Sequence, residues 1–215
     1  MIEVVNLTKE YETRQGPRRV LDNLSMTIAP GQKIGVLGRN GAGKSTLIKL
    51  IGGVELPTSG VVRRHMTVSW PLAFSGGFQG SMTGNDNIRF LTRVHNLDFQ
   101  DAYDFVDDFS ELGAALREPV RTYSSGMRAR FAFALSLAIE FECYLIDEII
   151  AVGDRRFHDR CHYELFEKRK DRALLLVSHD ITAIKEYCST TVILDGGKVA
   201  YFGGLEEGLE AYYRN

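Results

Sequence analysis

Gly38-Arg39-Asn40-Gly41-Ala42-Gly43-Lys44-Ser45 follows the apolar run Ile34-Gly35-Val36-Leu37 and leads into the apolar stretch Thr46–Ile51. The octet matches G-x-x-x-x-G-K-[ST] at every position, a pattern that wraps backbone N–H groups around phosphates. Glycines let the chain turn tightly and approach an anion without a Cβ in the way. Lys44 supplies a point charge to β- and γ-phosphates, and Ser45 a hydroxyl ligand for Mg²⁺. The next helix, stopped by Gly52-Gly53, presents the positive end of its dipole to the same anion. The stretch reads as strand, phosphate loop, helix.

Further along, Cys143-Tyr144-Leu145-Ile146 is an apolar strand that delivers Asp147 and Glu148 at its C-terminal end, where open α/β sheets bind their ligands. Alone it reads equally well as a strand ending in a solvated acidic turn. Downstream of a phosphate loop, Asp147 is expected to hold Mg²⁺ through its water shell and Glu148 to orient and deprotonate an attacking water. Short β segments are expected at Ile2–Leu7, Leu24–Ile28 and Lys33–Leu37. Helical patterning follows from about Asn85 to Leu116, with Phe90, Asp104, Phe105, Asp108 and Phe109 at helical spacing, and again from Arg128 to Phe141. The apolar runs Tyr144–Ile146, Ala173–Val177 and Val192–Leu194 alternate with helical stretches, which predicts an α/β fold: a mostly parallel sheet covered on both faces, with a helical insert.

The chain has 215 residues, 44% of them hydrophobic and 25% charged, an ordinary globular balance. Its net charge of −2 argues against nucleic acid as the main partner, because phosphate-backbone binding needs a basic excess. Cys143, Cys161 and Cys188 are scattered, with no C-x-x-C pair, so neither a disulfide framework nor a zinc ribbon is expected. The acid-bearing start Met1-Ile2-Glu3 lacks the apolar core of a signal peptide. The longest apolar stretch, Phe131 to Ile139, is interrupted by Ser136 and falls far short of the ~20 residues that span a bilayer. A soluble chain is expected. No repeat, low-complexity tract or linker divides it, so 1–215 reads as one domain with a helical subdomain at roughly 85–142.

Phosphate loops serve many enzymes, and other residues narrow the class. Tyr123-Ser124-Ser125-Gly126-Met127, shortly before the Asp147-Glu148 strand, is similar to the signature motif of ABC ATPases, usually written L-S-G-G-Q. Ala151-Val152-Gly153-Asp154 resembles the family's D-loop, with Asp154 at the matching position. Ser178-His179 looks like the switch histidine, and Tyr11 like the aromatic that stacks on adenine. These motifs run from Tyr11 to His179 in family order. Pro119–Arg128, Phe109–Gly113, Ser69–Phe78 and Asp147–Asp154 further resemble the polysaccharide-exporting branch, closest to the ATP-binding subunits of bacterial group 2-type capsular polysaccharide exporters. The short stretch after His179 favours the capsule assignment over the O-antigen and teichoic-acid cousins, several of which carry an added C-terminal domain.

The resemblance implies an ATPase with ATP and Mg²⁺ as cofactors. Gly38, Arg39, Asn40, Gly41, Ala42, Gly43, Lys44, Ser45, Thr46 and Tyr11 would bind the nucleotide, and Ser45 and Asp147 the metal. Glu148 and His179 would be catalytic. Ser124, Ser125 and Gly126 would act on ATP held by a second copy of the chain. It also implies a mostly parallel central sheet with an N-terminal antiparallel β part. Two copies of a transmembrane permease subunit would be partners at the cytoplasmic face of the inner membrane, with a periplasmic polysaccharide co-polymerase and an outer-membrane channel beyond. Ser125 and Met127 depart from the signature in ways that look typical of this branch. Gln79, in Gly76-Gly77-Phe78-Gln79-Gly80, is the candidate Q-loop glutamine but falls a few residues late; a loop contacting the membrane subunit is the equal alternative. Phe74, Phe78 and Phe90 read either as a socket for that subunit or as ordinary core.

Other constellations carry less. His158, Cys161 and His162 have metal-ligand spacing on a helix, but the stretch is charged and reads as a solvated face. Arg18-Arg19, Arg63-Arg64 and Arg155-Arg156 are likewise read as solvated. A soluble ABC ATPase acting on ribosomes or DNA usually fuses two cassettes or inserts a long coiled coil, and a GTPase needs an N-K-x-D motif; the chain contains neither.

Overall fold

The structure is a computed structural model and describes residues 1–72, 78–147, 155–178 and 180–214. Phe74, Glu148, Asp154 and His179 lie outside the described residues. The chain divides into two compact units: Met1–Pro71, Phe141–Ile149 and Lys170–Asn215 form the first, Leu72–Glu140 and Ile150–Arg169 the second.

In chain order come β1 (Ile2–Thr13), β2 (Gly16–Ile28), β3 (Lys33–Gly38), α1 (Lys44–Ile51), β4 (Ser59–Arg64) and β5 (Val68–Pro71). The second unit then supplies α2 (Gly84–His95), α3 (Phe99–Ser110) and α4 (Ser125–Leu137). After β6 (Cys143–Asp147) comes α5 (Arg155–His162), running into a π-helical turn at Tyr163–Glu167. The chain closes with β7 (Ala173–Val177), α6 (Ile181–Tyr187), β8 (Thr190–Asp195), β9 (Lys198–Gly204) and α7 (Leu205–Arg214).

The first unit carries two sheets. The larger has strand order β5-β6-β7-β3-β8-β9, parallel except for β9, which pairs antiparallel with β8. The smaller is the antiparallel β2-β1-β4. The central strands β3, β7 and β8 read as unbroken apolar runs because both faces are covered, and Ile34, Val36, Leu175 and Val192 are fully buried. β1 and β2 extend well beyond the expected segments. Their far halves, from Thr8 to Val20, keep mainly polar side chains half-exposed or exposed, so no apolar alternation announced them. β4, β5, β9 and α7 were not anticipated at all.

The expected 85–116 helix is two helices and a 3₁₀ turn. Asn96 ends α2 in the left-handed conformation at φ 53°, and Asp98 caps α3 by accepting from the N–H groups of Gln100 and Asp101. The helix expected at Arg128–Phe141 starts and stops earlier, at Ser125–Leu137. It is apolar around most of its circumference because Phe131–Leu137 is buried throughout. Among the described residues no helix is long and apolar enough to cross a membrane.

Phe109 on α3, Phe133 on α4 and Phe157 on α5 form an aromatic knot with ring centroids 5.4–6.1 Å apart. Phe78 is half-buried and packs edge-on to Phe131 at 5.5 Å, and Phe90 is 56% exposed.

Candidate nucleotide-binding site

The phosphate loop is built where the sheet's central strand runs out. β3 ends at Gly38, flanked by β7 and β8, so the turn that follows emerges at the C-terminal ends of parallel strands. Gly43 caps α1 at φ 101°, and no side chain caps that helix. A Cβ there would lie 2.6 Å from Leu21 Cδ2 and 2.9 Å from the Val20 carbonyl, so only glycine lets the loop close onto β2. The first turn of α1 therefore points its N–H groups out of the loop with no residue competing for them from the cap position.

Lys44 is buried, and its Nζ donates to the carbonyls of Gly38 at 2.7 Å and Arg39 at 3.2 Å. The loop thereby clamps its own cation at its centre. Ser45 Oγ donates to Asp147 Oδ1 at 3.2 Å, across 102 residues of sequence. A hydroxyl beside a carboxylate is the hard-oxygen chemistry that Mg²⁺ takes, so the residues fit that ion. Beside Ser45 lies a cleft of about 320 Å³ lined by Arg18, Val20, Asn40, Gly41, Gly43, Lys44, Ser45, Thr46 and Val177. The size suits a phosphate chain and its surroundings, and the lining is polar on the loop side.

Tyr11 stands opposite Arg18 across the β1–β2 hairpin. Its hydroxyl donates to Glu55 Oε2 at 2.6 Å, with the Thr46 side chain at the edge of the loop close by. Burial first, then Glu55, pushes the phenol above its ordinary range. The Tyr11 bond, with Lys49 and Lys9 beside it, holds the Glu55 carboxyl below its own. Lys9 Nζ sits 5.0 Å over the Tyr11 ring.

Gly38 and Arg39 also line a second cavity of about 370 Å³ with Ile193, Leu194, Asp195, Tyr212 and Tyr213. The β2 wall and the α7 tyrosines escaped the sequence reading. Arg18, read as solvated, is exposed and also lines the phosphate-loop cleft. Pairing Thr13 with Gly16 around the turn would have put Arg18 opposite Tyr11, which is the signal that was available.

In the second unit, Ser124 is the N-cap of α4: its Oγ accepts from the Met127 N–H at 3.2 Å while the side chain stays exposed. A hydroxyl used as an acceptor keeps its own hydrogen to donate, so capping and anion recognition are compatible here. Ser125 and Gly126 begin the helix behind it. Gln79 is exposed, and its backbone is pinned on both sides by buried Asn87, which accepts from the Gln79 N–H at 2.7 Å and donates to its carbonyl at 3.1 Å. On α5, Cys161 is buried, and burial pushes its thiol up to about 12. His158 and His162 are half-buried, and among the described residues no group of three His, Cys, Asp or Glu side chains could hold a metal.

The sequence of residues 21–151 matches the ABC transporter family. The chain is 58% identical to the capsule polysaccharide export ATP-binding protein CtrD of Neisseria meningitidis serogroup B, over 99% of this chain and 98% of that one. It is 56% identical to the ATP-binding protein BexA of Haemophilus influenzae with the same coverage. The fold is similar to that of the ATP-binding cassette MJ0796, solved as a dimer in a post-hydrolysis state with ADP and Pi, at a TM-score of 0.77, 20% identity and coverage of 95% and 99%. With a family match across the phosphate loop and the Asp147 strand, and relatives alike over nearly the whole length, the chain belongs to the ABC transporter family.

Proposed function

We propose that this chain is the ATP-hydrolysing subunit of an exporter that carries capsular polysaccharide across the bacterial inner membrane. The ATPase reading rests on one observation above all: Ser45 bonded to Asp147 at the mouth of a glycine-capped helix. The cargo reading rests on the full-length likeness to proteins named for capsule polysaccharide export.

Residues 1–215 act as one nucleotide-binding domain. Gly38 to Thr46 cradle the triphosphate with backbone N–H groups, Lys44 lends its charge to the β- and γ-phosphates, and Tyr11 meets the adenine. Ser45 and Asp147 would hold Mg²⁺, which supplies charge neutralisation on the phosphate oxygens. Glu148 takes a proton from the attacking water, and His179 hydrogen-bonds the γ-phosphate and that water. Ser124, Ser125 and Gly126 close over ATP bound by a second copy, with Asp154 at the same junction and Gln79 as the Q-loop glutamine. The pair opens and closes with hydrolysis at the cytoplasmic face of the inner membrane, peripherally attached to two permease subunits. A periplasmic polysaccharide co-polymerase and an outer-membrane channel complete the path. The net charge of −2 fits a machine without a nucleic-acid partner.

The test is complementation in cells whose own copy of the gene is deleted, read as polysaccharide at the surface. The unaltered chain should restore it, and Lys44→Ala and Glu148→Gln should not. Purified Glu148→Gln should also lose turnover by 10²-fold or more while still pairing in the presence of ATP. Restored capsule from Lys44→Ala would remove ATP hydrolysis from the reading.

A further inference from the structure

The residues just before the signature turn are held by a device that no motif describes. Two stretches run side by side in the second unit. The Val120 N–H donates to the Met82 carbonyl at 3.0 Å and the Arg121 N–H to the Gly80 carbonyl at 2.8 Å, with a β-bridge between Thr83 and Pro119. The zip ends at Arg121, and the 3₁₀ turn Val120–Thr122 carries the chain on to Tyr123, immediately before Ser124.

Tyr123 is 3% exposed, and its hydroxyl donates to the Ala115 carbonyl at 2.8 Å. Gly84 lies against the same oxygen, and its N–H donates to the Glu118 carbonyl at 3.3 Å. Burial pushes the phenol up to about 12, so it remains a donor at any physiological pH. The ring meets Phe131 of α4 edge-on at 5.9 Å. A Cβ on Gly84 would stand 2.6 Å from the hydroxyl, so the start of α2 admits the phenol only because residue 84 is glycine.

We propose that Tyr123 is a positioning residue for Ser124, its hydroxyl locking the signature turn in register with the start of α2 and so setting how well that turn closes on ATP held by a second copy. The inference rests on the reading of Ser124 given above. The ring packing fixes where α4 lies. The hydroxyl fixes the backbone one residue before the capping serine, whose side chain must aim at a phosphate within a few tenths of an ångström for a charge-assisted bond.

The test uses the full chain in the Glu148→Gln background, with two readouts. Fluorescent ADP binding by the single chain reports the phosphate loop, and ATP-driven pairing by light scattering reports the signature turn. Tyr123→Phe keeps the ring and removes the hydroxyl, so the bond to the Ala115 carbonyl is lost and that carbonyl keeps only the Glu118 N–H. It should weaken pairing about tenfold and leave ADP affinity within about twofold. Gly84→Ala should give the same split. Unchanged pairing in Tyr123→Phe, or loss of ADP affinity by the same factor as pairing, overturns the inference. Ser124→Ala separates the layers: if it pairs as the background does, the reading of Ser124 falls and the inference with it. If it pairs poorly while Tyr123→Phe pairs normally, only the inference falls.

Discussion

Replacing Arg169 by alanine should cost this protein a large share of its stability, and the amount follows from what the guanidinium holds. Arg169 follows the π-helical turn after α5, and its side chain is 3% exposed. One nitrogen, Nη1, donates to the Glu164 carbonyl at 2.9 Å and to the Glu164 carboxylate. The other, Nη2, donates to the Leu137 carbonyl at 2.9 Å, in the last turn of α4, and to Glu140 Oε1 at 2.7 Å. Glu140 is 57% exposed and would return to water at little cost, within about 1 kcal/mol. Glu164 is only 12% exposed and would keep a charge without its closest counterion. Breaking a buried pair from one side costs about 3–5 kcal/mol, and the orphaned Leu137 carbonyl belongs to the same loss. Against the 5–15 kcal/mol typical of a domain, about 3–5 kcal/mol is a change visible in any urea titration followed by far-ultraviolet circular dichroism. Glu140→Gln should shift the curve by less than about 1 kcal/mol. If Arg169→Ala costs no more than Glu140→Gln, the guanidinium is not the clamp on α4 that its bonds describe.

Three further outcomes are expected. Arg18→Ala should weaken nucleotide binding by roughly five- to tenfold, because a charge lining the cleft is lost while the loop stays intact; equal affinity by fluorescence titration would put Arg18 back among the solvated arginines. Cys143, Cys161 and Cys188 are all buried with thiols pushed up to about 12, so a thiol reagent at pH 8 should label the native protein slowly and all three sites after unfolding; rapid native labelling contradicts the packing. Because Glu55 is held below its ordinary carboxyl range, its contribution to stability is present above about pH 4.5 and fades as pH falls through its depressed folded value. The melting-temperature gap between the unaltered chain and Glu55→Gln should therefore be larger at pH 7 than at pH 4, and a gap that widens on acidification refutes the sign.

Local chemistry was legible along the chain wherever a function needs particular residues at particular spacing. Gly38 to Ser45 announces a phosphate loop because only glycine permits that backbone, and Cys143–Asp147 announces a buried strand because a parallel strand covered on both faces tolerates no polar interruption. The α/β class and the helical insert follow from the same periodicities. What stayed hidden was set by pairing between distant segments. Arg18 reaches the cleft only because Tyr11 fixes its register across a hairpin whose outer half is polar on both faces. Asp147 and Ser45, 102 residues apart, meet only because β6 and β3 both pair with β7. Tyr123 reads only as the first residue of the signature-like stretch until the fold sets it against Gly84 and Ala115. A sequence encodes which groups can do chemistry through their own conformational and polar requirements. Which of them share a site depends on strand register and buried contacts, and those form only when the whole chain packs.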